Sequence, residues 1–110
     1  YDNYQVVRHM LVDMWTQIEM LRGFVYSVFA EKDEGKACLA KGRLMKVQGA
    51  TVSEYVARQA IQIFGGLGVV NEVGVERFWR DAKVMAIGGA AIEALRDDVA
   101  LMIGNGVQDR

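Results

Sequence analysis

From Val6 to Phe29 the apolar side chains recur at Val7, Met10, Leu11, Met14, Ile18, Leu21, Val25, Val28 and Phe29. This is the 3.6-residue period of an α-helix held for about six turns, with Arg8, Asp13, Gln17, Glu19 and Arg22 mainly on the other faces. A helix of that length carries an unbroken apolar stripe, which must be buried against elements of comparable length. The rest of the chain offers only helices for the purpose. It contains no proline, the residue that most strongly breaks a helix interior. The cluster Glu31-Lys32-Asp33-Glu34-Gly35 supplies the first break.

A second helix is expected from about Lys36 to Phe64, carried by Ala37, Ala40, Leu44, Val47, Val52, Val56, Ala60 and Ile63. Gly42 and Gly49 inside it each cost about 0.5 to 1 kcal/mol relative to alanine, which suggests close packing against another helix. Glu54 and Arg58 are spaced i,i+4 for an ion pair. A third, shorter helix covers about Val75 to Ala86, with Phe78, Ala82 and Met85 as inward positions and Glu76 and Arg80 as a second i,i+4 pair. Trp79 fits either the chain's own core or an interface between subunits, and Trp15 is a further candidate for such an interface. A fourth helix runs from about Gly89 to Ile103 through Ile92, Leu95, Val99 and Met102, and Gly104-Asn105-Gly106 stops it. No stretch alternates with the period of a strand. The expected fold is all-α, an up-and-down antiparallel four-helix bundle.

Several function classes find no support. With 13 basic against 14 acidic residues and a net charge of -1, the chain has no basic excess to suggest nucleic acid. No apolar run approaches the ~18 residues needed to cross a bilayer. Cys38 is the only cysteine, which rules out an intrachain disulfide and suits a reducing compartment. His9 is the only histidine, so no metal-ligand set and no Ser-His-Asp arrangement is expected.

The stretch from Gln62 to Lys83 carries most of the functional information. Gly65, Gly66 and Gly68 follow directly on the helical pattern ending at Ile63 and Phe64. A helix that stops in glycines presents bare backbone amides, and Gln62, one turn back, adds a side-chain amide to the same surface. On the residues alone this is either an interhelical turn or a ligand-contacting surface.

Taken together, Gln62-x-x-Gly65-Gly66-x-Gly68, then Glu76-Arg77-x-x-Arg80-Asp81-Ala82-Lys83 and Ile87, resembles the C-terminal signature of the acyl-CoA dehydrogenase family. Gln5 through Met14, with Tyr26, is similar to the helix preceding that signature, so the resemblance spans nearly the whole chain. It implies FAD as cofactor, an acyl-CoA thioester as substrate, α,β-dehydrogenation as the reaction and electron-transferring flavoprotein as redox partner. It also implies a homo-oligomer, dimer or tetramer, joined through this domain, in the bacterial cytoplasm or the mitochondrial matrix. The chain would be a fragment of such an enzyme, without its N-terminal helical and middle β domains.

Residue by residue, the resemblance gives Gln62, Gly65 and Gly66 contacts to the FAD of the neighbouring subunit, and gives Glu93 a position bordering the cofactor. Many members carry the base that takes the α proton as the first Glu of I-Y-E-G-T-x-E. The corresponding register here is Ile87-Gly88-Gly89-Ala90-Ala91-Ile92-Glu93, which puts Gly89 at the base position and Ala91 in place of a threonine that contacts FAD. No residue of this chain is therefore assigned as catalytic. The similarity is to the isovaleryl and long-chain branches, whose base comes from a helix that would precede Tyr1. A catalytically inactive homologue, serving as an assembly or binding module, is the alternative, and a base role for Glu93, one turn past Gly89, is the third and poorest reading. Gly74 replaces the family's usual proline and should leave its loop looser. Arg80 and Asp81 are expected to hold the third helix in place.

Overall fold

The computed structural model describes residues 3–106. Helix α1 spans Gln5–Asp33 and α2 spans Leu39–Phe64; a 3₁₀ helix, Gly65–Val69, continues from the end of α2. Helices α3, Val75–Ile87, and α4, Ile92–Gly104, complete the chain, and no strand occurs among the described residues. The four-helix architecture expected from the periodicity is the one that forms. Helix α1 runs a turn beyond Phe29 and ends in a Schellman motif, with the Gly35 amide donating to the Lys32 carbonyl at 2.9 Å and the Lys36 amide to the Glu31 carbonyl at 3.0 Å.

Helix α2 is the element against which the others pack: α1, α3, α4 and the 3₁₀ helix all rest on it, and they meet one another little. Helices α1 and α2 are antiparallel. Near their connection Lys41 Nζ donates to Glu31 Oε2 at 2.6 Å, and farther from it Leu21 and Val52 line one apolar groove. Helices α2 and α3 are antiparallel as well, with Lys83 Nζ 3.2 Å from Glu54 Oε1 and Lys46 Nζ 2.7 Å from the Gly88 carbonyl. Arg43 joins the first half of α2 to α4 through Asp98 at 3.5 Å and the Met102 sulfur at 3.5 Å. The fully covered apolar residues follow this plan: Val28 on α1, four on α2 (Val47, Ala50, Val52, Ala57), and pairs on α3 (Ala82, Ala86) and α4 (Leu95, Val99).

Four expectations change. Phe78 and Met85 point toward the α1–α2 side as the periodicity predicts, yet they are 71% and 54% exposed. They form one wall of a groove of about 520 Å³ whose other walls include Ile18, Leu21, Val56 and Ala60, and none of the described residues fills it. Gly42 and Gly49 do not mark close helix packing, because a Cβ at either would meet nothing within 4 Å. Glu54 turns toward α3 and pairs with Lys83 rather than with Arg58. Arg80 and Asp81 pair within α3 itself, with Glu76 at 3.2 Å and Arg77 at 3.6 Å, so they stabilise that helix while Lys83 docks it.

Candidate cofactor-binding site

Helix α2 ends where Gly65 takes φ 63° and ψ -140°, a conformation that L side chains rarely adopt, and its amide turns back to the Gln62 carbonyl. The chain then winds into the 3₁₀ helix and folds onto the last turns of α2. Gly68 makes this possible. It is buried, and a Cβ there would lie 2.5 Å from the Ile61 carbonyl oxygen and 3.0 Å from its Cα, both backbone atoms that cannot step aside. The consequence is a tight shelf at the end of α2 rather than a loose loop.

On that shelf Gly65 and Gly66 are exposed, and the space where their side chains would project is open, with no atom within 4 Å of an added Cβ. Gln62 is exposed beside them, and its side-chain amide makes no hydrogen bond among the described residues. Phe64, Leu67 and Val69 are exposed around the same turn. The shelf therefore combines an unused amide, two glycines that let a flat polar group approach the backbone, and apolar side chains able to flank a ring system. Glu76, in the first turn of α3, has one carboxylate oxygen paired with Arg80 and the other buried with no hydrogen-bond partner among the described residues.

Glu93 does not join this group. It is exposed in the first turn of α4, shortly after a turn whose Gly88 and Ala90 carbonyls both accept hydrogen bonds from Lys46 Nζ. Lys46 lies about 24 Å before Gln62 along α2, at ~1.5 Å per residue. Gln62, Gly65 and Gly66 thus sit at one end of α2, while the Gly88–Ala90 turn that precedes Glu93 is held at Lys46, in its other half.

That second turn has its own geometry. Gly89, between the two carbonyls held by Lys46, adopts φ 77°. A cavity of about 760 Å³ adjoins it, with Leu39, Ala90 and Leu95 among its apolar walls and Lys32, Lys36, Arg43 and Lys46 around it. Lys36 is paired with Glu34 at 2.6 Å and its ammonium is held above its ordinary pKa by that hydrogen bond and charge. No acidic side chain is among the described residues that line the cavity. Lys46 was not singled out in the sequence, where its one signal is a lysine set between Met45 and the buried Val47. Gly74 takes φ 77°, a left-handed conformation that proline's ring forbids.

No group of three or more His, Cys, Asp or Glu side chains that could hold a metal ion occurs among the described residues. No helix among them is long and apolar enough to cross a membrane.

Residues 3–103 match the family model described as acyl-CoA dehydrogenase, C-terminal domain. Mitochondrial isovaleryl-CoA dehydrogenase of Oryza sativa subsp. japonica is 38% identical over 93 residues, 84% of this chain and 23% of that protein. A short-chain-specific acyl-CoA dehydrogenase of Megasphaera elsdenii is also 38% identical, over 84 residues, 76% of this chain and 22% of that protein. Among solved structures, a putative acyl-CoA dehydrogenase from Mycobacterium smegmatis superposes with a TM-score of 0.88 at 32% identity, covering 92% of this chain and 27% of that one. The chain spans about a quarter of the length of the relatives it matches.

Proposed function

The chain belongs to the acyl-CoA dehydrogenase family, matching its C-terminal domain, and on that premise we propose that it serves within an FAD-dependent enzyme that removes two hydrogens from the α and β carbons of an acyl-CoA thioester. The enzyme's N-terminal helical and middle β domains lie outside these 110 residues. The observation that carries the reading is the shelf at the end of α2, where the free Gln62 amide stands beside the open backbone of Gly65 and Gly66. FAD bound there supplies the hydride acceptor; the chain's part is to hold it. Gln62 donates to or accepts from a polar group of the dinucleotide, and the two glycines let that group approach the backbone.

The separation of Glu93 from this shelf fits an assembly in which one chain touches two cofactors. Gln62, Gly65 and Gly66 reach the FAD of a neighbouring subunit, and Glu93 borders the FAD of its own. The enzyme is then a homo-oligomer, dimer or tetramer. Electron-transferring flavoprotein would be its redox partner, in the bacterial cytoplasm or the mitochondrial matrix. We place the base upstream of Tyr1, because Gly89 offers no carboxylate and no acidic side chain lines the adjoining cavity. That same gap, with Ala91 where a threonine would contact FAD, supports a second reading as an inactive homologue kept for assembly.

The test uses the full-length protein. Anaerobic addition of an acyl-CoA bleaches the flavin absorbance if the first reading holds, and Gln62→Ala raises the Kd for FAD by about 2- to 12-fold, the worth of one neutral hydrogen bond. Retained FAD that no short, branched or long acyl-CoA reduces would establish the inactive homologue instead.

A further inference from the structure

The turn between α3 and α4 is held from outside by one side chain. Lys46 Nζ, on α2, donates to the Gly88 carbonyl at 2.7 Å and also to the Ala90 carbonyl. The two carbonyls flank Gly89, and with both turned toward one ammonium the peptide units between them have little freedom. Gly89 takes φ 77°, although its missing side chain would meet nothing within 4 Å. Space does not demand a glycine here; the backbone direction does.

We propose that Lys46 is a positioning residue that sets the conformation of the Gly88–Ala90 turn and so keeps the position equivalent to the family's base a glycine. The proposal rests on the functional reading only in naming position 89 the base position. An ammonium binds two carbonyls together more strongly than a neutral donor does, since charge assists both hydrogen bonds. Any L residue other than glycine at 89 must either adopt a rarely populated left-handed backbone or turn its flanking carbonyls away from Lys46. A carboxylate introduced at 89 would therefore arrive with the turn broken, and would not by itself recreate a base. The rest of the surroundings agree: Lys32, Arg43 and Leu95 line the adjoining cavity, and none of them offers an acceptor that could replace the two carbonyls.

The full chain tests this directly. In the ¹⁵N spectrum the Lys46 ammonium should exchange slowly enough to be seen. Lys46→Met keeps the apolar stem and removes the charge, and it should move the ¹³C′ shifts of Gly88 and Ala90. Lys46→Arg should restore them in part. Lys32→Met, which removes a lysine of the same cavity that holds no carbonyl, should leave them in place. A thermal double-mutant cycle then reads the coupling. Gly89→Val lowers the unfolding midpoint far more than Gly89→Asn in the wild-type background, because asparagine tolerates positive φ and valine does not. With Lys46→Met present, the difference between the two should shrink by about half or more. Carbonyl shifts that respond equally to Lys46→Met and Lys32→Met would overturn the proposal, and so would a Val–Asn difference that is the same in both backgrounds. These measurements report on the turn alone. An enzyme that fails to reduce its flavin would sink the functional reading and leave this one standing.

Discussion

Gly68 and Gly66 lie two residues apart in one glycine run, and their surroundings give opposite predictions for the same substitution. Alanine at Gly68 places a methyl 2.5 Å from the Ile61 carbonyl oxygen, so the 3₁₀ helix must lift off α2. The expected loss is about 1–3 kcal/mol, the usual cost of overpacking, measured as a fall in the chemical denaturation midpoint at unchanged slope. Gly66→Ala meets nothing within 4 Å and should stay within about 0.5 kcal/mol of wild type, while weakening FAD retention in the full-length protein. Equal stability losses at the two positions would contradict the geometry. A second residue-scale prediction concerns acid. The hydrogen bond from Lys41 holds the Glu31 carboxyl below its ordinary value of 4.5. With its folded pKa below its unfolded one, its stabilisation is complete above about pH 5 and disappears as pH falls through the depressed value. Glu31→Gln should therefore flatten the stability–pH curve below about pH 4.5 and leave its slope at neutral pH alone. The sequence discloses these residues unevenly. The glycine run is visible as a pattern, but the Ile61 carbonyl that requires Gly68 is not. Gly89 can be placed by register, but its φ depends on Lys46, which no local spacing ties to a turn 42 residues later.

At the level of the elements, most contacts between helices involve α2, which predicts an order of opening. Helix α1 contributes one fully buried side chain, Val28 near its C-terminal end, whereas α2 contributes four. The N-terminal half of α1, from Gln5 to about Glu19, has no fully buried side chain and covers one row by half, Val7, Met10, Met14 and Ile18. Hydrogen exchange should therefore reach the α1 amides of that half first and those around Val47 to Ala57 last. Uniform protection along both helices would mean that α1 is better anchored than its burial suggests. The same layout explains what periodicity can disclose. An apolar period of 3.6 states which residues share a face, and it located all four helices to within a few residues of their ends. Whether a face is covered depends on a partner element, which the helix's own pattern does not contain. Phe78 and Met85 lie on the expected face of α3 and remain uncovered because no further element among the described residues enters the groove they border. The side of α1 bearing Leu11, Trp15, Tyr26 and Phe29 is exposed for the same reason.

For the whole molecule, these open faces add up to a shape that a self-sufficient domain does not have. A compact chain of this length has a radius of gyration of about 13 Å. This one has 16.9 Å and extends 49 Å along its longest axis. The excess comes from helices gathered along one central helix, with apolar rows facing outward where a closed bundle would bury them. Soluble monomers rarely leave contiguous apolar surface of that extent uncovered, and the relatives it matches are about four times as long. Alone in water, the chain should cover it with copies of itself. Light scattering is expected to show a dimer or larger species whose mass rises with concentration. Phe78→Ser and Trp15→Ser then separate the two open faces. Both side chains are mostly exposed, at 71% and 64%, so each substitution should leave helicity unchanged. If the α1–α2–α3 groove is the contact, Phe78→Ser shifts the association midpoint to higher concentration and Trp15→Ser does not; if the outer row of α1 is the contact, the effects exchange. A clean monomer at millimolar concentration, with the far-ultraviolet signal of a fully helical chain, would show that the open faces are stable in water and that the need for a covering partner has been overstated.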